Sequence, residues 1–231
     1  MITDFSNREK ECFTFLKLIP KEKKYVIIGG YAVSSYGFPR FSVDLDITIA
    51  ENELPFFKKL IADKGYEFTV GKEDLNYSGK FERYEEDLVS IDLLINGVQS
   101  RQTGYCYPFQ YIFKNSQIRE TSGWNQSNRV KVRIAKKEML IALKIHSMRM
   151  ADVRDIIMLC YEPPDTQIIL KHLENNPKEK IIENISELLN VLKDKKLKDS
   201  LKGVYSIDEK LYNRTIENCK QIMTDVKNKL L

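Results

Sequence analysis

The sequence predicts an α/β unit over residues 1–118 followed by a mainly helical unit over 119–231. Three patterns predict it. Short apolar runs of β type stand at 25–28 and 88–95, strict alternation marks 41–50, and apolar residues recur at helical spacing after residue 136. A chain of 231 residues is long enough for one large domain or two small ones.

Residues 4–19 set Phe5, Cys12, Phe13, Phe15 and Leu16 at mostly helical intervals, and Pro20 with the charged run Lys21–Lys24 ends that helix. Tyr25-Val26-Ile27-Ile28 reads as a buried strand broken by Gly29-Gly30, after which Tyr31–Tyr36 forms a short helix stopped at Gly37 and Pro39. From Phe41 to Ala50 the apolar residues Phe41, Val43, Leu45, Ile47 and Ile49 alternate with Ser42, Asp44, Asp46 and Thr48, the period of a strand. Glu53–Lys64 is helical and closed by Gly65. Residues 66–100 return to strands, the strongest being Leu88–Ile95, ended by Asn96-Gly97. The stretch Gln102–Asn128 reads as mixed and loop-rich, and Val130, Val132 and Ile134 mark a short strand. Lys136–Cys160 is one long or broken helix stopped by Pro163-Pro164, and Ile181, Ile182, Ile185, Leu188, Leu189 and Leu192 form a later helical stripe.

Composition narrows the class. Thirty-seven Lys+Arg against 33 Asp+Glu give a formal net charge of +4, compatible with an anionic partner but unlike a basic tail. Ten Gly and 7 Pro among a full set of aliphatic and aromatic residues exclude collagen-like and disordered classes. No apolar run approaches the roughly 20 residues of a membrane span, and no charged-then-apolar leader opens the chain. Cys12, Cys106, Cys160 and Cys219 stand far apart with no CxxC pair, so they are expected as reduced core residues. The expectation is a cytoplasmic protein with no membrane partner.

Asp44 and Asp46 carry the chemical argument. Two residues apart on a strand, their carboxylates share a face about 6–7 Å apart and repel unless a cation or donor lies between them. One reading is the solvated outer face of an edge strand; the other is a site for a divalent metal with hard oxygen ligands. An EF-hand loop is excluded, because its sixth and twelfth positions are Ile49 and Pro55. Asp44-Leu45-Asp46-Ile47-Thr48 also matches the D-x-D-x-T of haloacid-dehalogenase phosphohydrolases. There the apolar strand precedes the first Asp, whereas here it continues past it. Upstream, a buried strand, Gly29-Gly30 and a helix start form a geometry that accepts phosphate. Ser34 and Ser35 either offer hydroxyls to that turn or simply pack small side chains against the sheet. The dinucleotide fingerprint and the Walker A motif are absent.

Ile28-Gly29-Gly30-Tyr31-Ala32-Val33 followed by Arg40-Phe41-Ser42-Val43-Asp44-Leu45-Asp46-Ile47 resembles the polymerase-beta-type nucleotidyltransferase superfamily, in its minimal, abortive-infection toxin-like (AbiEii-like) branch. Asp92, within Val89–Leu94, is the natural third carboxylate, and Glu138–Lys144 with Arg149, Asp152 and Asp155 is similar to that branch's helical motifs. The likeness spans residues 26–160. It implies a mixed sheet flanked by helices, with the C-terminal helical domain closing the nucleotide cleft. It also implies transfer of a nucleoside monophosphate from an NTP to an acceptor hydroxyl by a two-metal mechanism with Mg²⁺ or Mn²⁺.

On that resemblance Asp44, Asp46 and Asp92 hold the metals, Asp92 also being able to accept the hydroxyl proton. Gly29 and Gly30 lie against the triphosphate, and Arg40 and Ser42 donate to phosphate oxygens or brace the strand. Lys144, in an apolar helix, contacts the nucleotide or extends its amine to solvent. Asp152 and Asp155 share a helical face and either belong to the site or pair with Arg149 or Arg154; His146 is a proton carrier by chemistry or a structural residue. Arg129, Lys131 and Arg133 line one strand face, a candidate acceptor surface that points toward RNA or a tRNA end, or a solvated face. Trp124, Tyr105, Tyr107 and Tyr111 stack on bases or pack in the core. The lysine run 193–198 reads as helix surface. An antitoxin protein is the partner the branch implies, proteins and small molecules are its other acceptors, and a non-catalytic binding protein on the same fold is the rival class.

Overall fold

A computed structural model describes residues 2–42, 44–73, 79–87 and 89–231. Val43 and Leu88, which the sequence assigns to strands, and positions 74–78 lie outside the described residues. Two compact units emerge, residues 1–99 with 106–136 and residues 100–105 with 137–231.

In the first unit α1 (Ile2–Lys17) leads to β1 (Tyr25–Ile27), α2 (Gly29–Ser34) and β2 (Asp44–Ile49). After α3 (Leu54–Asp63) come β3 (Glu67–Glu73), β4 (Lys80–Glu86) and β5 (Val89–Ile95). The unit continues with β6 (Gly97–Gln99), β7 (Cys106–Pro108), α4 (Phe109–Lys114), β8 (Ser116–Ser122) and β9 (Arg129–Ala135). Among the described residues seven strands form one mixed sheet in the order β3-β4-β5-β2-β1-β9-β8, while β6 and β7 make a separate hairpin. β2 runs antiparallel to β1 and parallel to β5, and β1 runs parallel to β9. The core is the apolar face that the alternation predicts. Leu45, Ile47, Ile49, Ile91, Leu93, Ile95 and Ile27 are all fully buried. Phe57 of α3 meets Tyr25 edge-on, and Phe13 of α1 meets Tyr31 of α2 the same way.

Three sequence expectations change in this unit. The stretch 102–128 is not loop-rich, for it holds β7, α4 and β8. β8 reads Ser-Gln-Ile-Arg-Glu-Thr-Ser, too polar to announce itself, yet it pairs antiparallel with β9 along its whole length. Because β9 also pairs with β1, both strands complete the first unit's sheet, and the chain passes to the helical unit after residue 136, not 118. Phe41 and Ser42, expected in the strand, lie outside β2.

The second unit is helical throughout its long segment, with α5 (Lys137–Ser147), α6 (Met150–Leu159), α7 (Thr166–Leu173), α8 (Lys178–Val191), α9 (Leu197–Lys202) and α10 (Glu209–Leu230). The predicted 136–160 helix is the broken form. Met148 takes φ +45, and the Asp152 side chain accepts from the Arg149 backbone N–H to start α6 anew. Asp165 caps α7 by accepting the Gln167 and Ile168 N–H groups, and Asp208 caps α10 by accepting that of Leu211. Ile145, Ile157, Ile169, Ile181, Ile185, Leu188, Met223 and Val226 are buried between these helices. All four cysteines are free; Cys12, Cys160 and Cys219 are buried and Cys106 is half-buried. Among the described residues no helix is long and apolar enough to cross a membrane.

Candidate active site

The glycine turn and the two aspartates of β2 meet by steric necessity. Gly29 follows β1 with φ +69, a left-handed conformation that side chains resist. A Cβ there would lie 1.9 Å from Asp46 Oδ2 and 2.7 Å from its Cγ, so the carboxylate rests on bare backbone. At Gly30 a Cβ would lie 2.6 Å from Ser42 Oγ and 3.0 Å from Arg40 Nη2, which packs both side chains against the same turn.

Local hydrogen bonds fix this arrangement. The Ile28 N–H donates to the Asp46 carbonyl at 3.1 Å, tying β1 to β2 beside the turn. Buried Tyr31 donates its hydroxyl to the Ser42 carbonyl at 2.8 Å, and burial pushes its phenol pKa up. Ser42 Oγ donates to the Asp44 carbonyl at 3.2 Å, and Arg40 Nη1 donates to the Phe41 carbonyl at 3.1 Å. Ser34 is buried; its hydroxyl donates to the Gly30 carbonyl and accepts the Arg40 backbone N–H. Ser34 therefore braces the turn from inside, and Ser35 does likewise by donating to the Ala32 carbonyl.

Parallel pairing of β2 with β5 places Asp44 opposite Ser90 and Asp46 opposite Asp92. Residues directly opposite share a face, so all three carboxylates project from one side of the sheet. Ser90 Oγ donates to Asp44 Oδ1 at 2.5 Å. Asp92 is buried and is met from β4 by Arg83, its register partner, whose Nε reaches Oδ1 and whose Nη2 reaches Oδ2, each at 2.7 Å. Burial raises the Asp92 pKa, while the Arg83 hydrogen bonds and charge oppose that rise. Arg83 is held more firmly protonated in return, chiefly by its hydrogen bonds to Asp92.

Donor chemistry divides the trio. Asp44 and Asp46 offer half-buried carboxylate oxygens, the ligand type that Mg²⁺ and Mn²⁺ take, and Mg²⁺ commonly needs only one or two protein carboxylates plus substrate phosphate. Both Asp92 oxygens are already engaged by a fixed cation. Among the described residues no group of three or more His, Cys, Asp or Glu is disposed to hold a metal ion.

Arg129, Lys131 and Arg133 lie on the aspartate face of the same sheet, since Thr48 opposes Val26 and Ile27 opposes Ile134. Their charge is partly answered. Glu120 stands opposite Lys131 and 3.5 Å from Arg129, and Arg133 lies over the Phe113 ring and donates to Ser116. Trp124 is exposed and stacked on Phe41 at 5.4 Å, whereas Tyr107 is buried beside Tyr111.

The remaining sequence-expected residues belong to the helical unit. Lys144 is buried and donates to Asp152 Oδ1 at 3.1 Å and Asp155 Oδ2 at 2.7 Å. Tyr205 also donates to Asp155, and Arg149 Nε donates to Asp152 Oδ2 at 2.8 Å. Burial alone would lift the Asp152 pKa, but Lys144 and Arg149 outweigh it and hold the carboxyl at about 2. The pairing of Asp152 with Arg149 is thus realised, with Lys144 as a second partner. His146 is buried, bonded to Thr103 Oγ1 at 2.6 Å and stacked on Tyr105, and burial lowers its pKa to about 4. It is a neutral structural histidine. The lysine run is surface, with Lys198 paired to Glu209.

No protein-family model matches the chain, and no curated protein matches it. Among solved structures it is similar to LnuA, a lincosamide antibiotic adenylyltransferase bound to lincomycin, at 24% identity over 65% of this chain and 95% of that one with a TM-score of 0.44. It is similar as well to CdnE, a STING-associated c-di-GMP synthase from Capnocytophaga granulosa, at 12% identity over 99% of this chain and 82% of that one with a TM-score of 0.25. At these scores the functional reading rests on the residues of the chain itself.

Proposed function

We propose that the chain is a nucleotidyltransferase that moves a nucleoside monophosphate from a nucleoside triphosphate to an acceptor hydroxyl, with a divalent cation held by Asp44 and Asp46. One observation supports this above the others: the Asp46 carboxylate lies on the bare backbone of Gly29, with Asp44 on the same strand face. A turn without side chains lets the Asp46 carboxylate and the Arg40 guanidinium close on the backbone, and paired carboxylates there suit the cation that accompanies a nucleoside triphosphate.

In the reaction the acceptor oxygen bonds to the α-phosphorus as the bond to the bridging oxygen of the β-phosphate breaks, and pyrophosphate leaves. Bound at the site, the cation would neutralise charge on the phosphate oxygens. Arg40, packed on Gly30, adds a guanidinium for the same phosphates. Asp92, beside Asp46 in register, takes the acceptor proton. Exposed Arg129 and Lys131 on the aspartate face favour an anionic acceptor, so an RNA end is the first acceptor to try.

The test incubates the chain with each of the four α-labelled nucleoside triphosphates, Mg²⁺ or Mn²⁺, and total RNA, cell protein or small-molecule alcohols. Label should pass to one acceptor class, and Asp46→Asn should reduce transfer at least about 100-fold while the far-UV circular dichroism stays unchanged. Equal transfer by the variant would dismiss the assignment.

A further inference from the structure

Three aromatic rings from three separate segments of the first unit stand in a row that the core does not cover. Phe5 of α1 meets Phe41 at 5.5 Å with the ring planes 41° apart, and Phe41 stacks on Trp124 of the β8–β9 turn at 5.4 Å and 26°. Phe5 is 38% exposed and Trp124 43%, with half-buried Phe41 between them. Rings of this size ordinarily bury their surface in a core or an interface, so a contiguous open row calls for an occupant.

The row is held in place and joined to the glycine turn. Glu9 accepts the Trp124 N–H at 2.6 Å, and Phe5, Arg8 and Glu9 share one face of α1 by their spacing. Phe41 lies between Arg40 and Ser42, the two residues packed against Gly30, and its carbonyl accepts from Arg40 Nη1. Positive charge stands at both ends. Arg8 lies over the Phe5 ring, 5.5 Å from its centroid, and its buried Nε has no hydrogen-bond acceptor among the described residues. Arg129 Nε donates at 2.7 Å to the carbonyl of Gln126, in the turn that carries Trp124.

From this we infer that Phe5, Phe41 and Trp124 form a stacking platform for the unpaired bases of a single-stranded RNA acceptor, with Arg8 and Arg129 serving its phosphates. The inference rests on the nucleotidyltransferase reading and deepens it by naming the acceptor class. Every base offers a flat face to an aromatic ring, and guanidiniums meet the backbone between bases. A lone nucleotide needs one ring and one phosphate contact, whereas a row of rings with a cation at each end matches linked nucleotides. A duplex keeps its base faces stacked inside and has none to offer the platform. Phe41 ties the row to the Gly30 turn, so the strand ends beside the residues that Proposed function gives to the phosphates.

Trp124 is the single tryptophan of the chain, so its fluorescence reports the platform directly. Titration of the full chain with an adenylate octaribonucleotide should quench that emission at least about twofold. An abasic strand of the same length, the octamer annealed to its complement, and each NTP alone should leave the emission unchanged. Trp124→Ala should weaken binding of the 5′-fluorescein octamer, read by anisotropy, at least about tenfold and raise KM for RNA in label transfer, and Trp124→Phe should restore most of both. Circular dichroism certifies that each variant folds. Equal octamer binding by wild type and Trp124→Ala, or quenching by the abasic strand or by an NTP alone, would overturn the inference and leave the transferase reading intact. Label transfer confined to protein and lowered by Trp124→Ala would also overturn it, making the row a protein-docking patch. Quenching by the octamer with no label transfer from any NTP to any acceptor would instead defeat the transferase reading, and with it the strand's role as acceptor.

Discussion

Gly29 and Asp46 occupy one another's space: a methyl group at position 29 would sit 1.9 Å from the carboxylate oxygen of residue 46. The strand that carries the acid and the turn that follows β1 therefore close on each other only because the turn has no side chain.

Gly29→Ala tests that dependence. The left-handed φ alone costs a side chain about 1–2 kcal/mol, and the clash must displace Asp46 as well. Gly37 provides the control, with φ +98 and no heavy atom within 4 Å of a built Cβ. In urea titrations Gly37→Ala should lose the conformational cost alone, and Gly29→Ala should lose more, because its Cβ must also displace Asp46. Nucleotide transfer per folded molecule should fall at least tenfold for Gly29→Ala alone. Equal activity in the two variants would show that the Asp46 position does not matter.

The helical unit offers a test in acid. Asp152 titrates at about 2 in the folded chain against about 3.9 unfolded, so its contribution is complete above about pH 4 and is lost as pH falls toward 2. That contribution is about 2–3 kcal/mol. Lys144→Met removes the shared ammonium and leaves buried Asp152 and Asp155 short of a partner, at a cost of about 3–5 kcal/mol. Without that cation burial lifts the carboxyl pKa values, so the acid-unfolding midpoint should move to higher pH. Denaturant midpoints measured from pH 2.5 to 7 report it, and an unchanged acid limb would rule out Lys144 as the charge that holds Asp152 down.

What the sequence discloses follows from period and burial. Asp44, Asp46 and Asp92 are legible because each interrupts an apolar alternating run, where a charge demands a reason. Arg83 is not. Its strand reads Lys-Phe-Glu-Arg-Tyr-Glu-Glu, charged on both faces, and only the β4–β5 register reveals which of those charges meets Asp92. A weak cue exists in retrospect, since a buried third carboxylate beside two others calls for a cation from a neighbouring strand. Six-residue α4 is too short for helical periodicity to declare itself, which is why 109–114 reads as loop. The change of unit at 136 is invisible for a related reason: β8 is a polar edge strand whose membership is set by pairing, not composition.

Glu9 shows the same limit at long range and yields the last test. It is fully buried in α1, and its carboxylate accepts the Trp124 N–H at 2.6 Å, the Asn125 N–H at 3.0 Å and Asn128 Nδ2 at 3.0 Å. Gly123 allows this approach, because a Cβ there would lie 2.1 Å from the Glu9 carboxyl carbon. One helical side chain thus satisfies the turn between β8 and β9 from more than a hundred residues away. Glu9→Ala should leave three donors without an acceptor and cost about 2–4 kcal/mol, whereas Glu9→Gln keeps one oxygen and should cost less. Amide hydrogen exchange should quicken at least tenfold at Trp124 and Asn125 in the alanine variant while the β2 and β5 amides keep their relative order of protection. If those two amides exchange at the wild-type rate in Glu9→Ala, α1 does not anchor the β8–β9 turn.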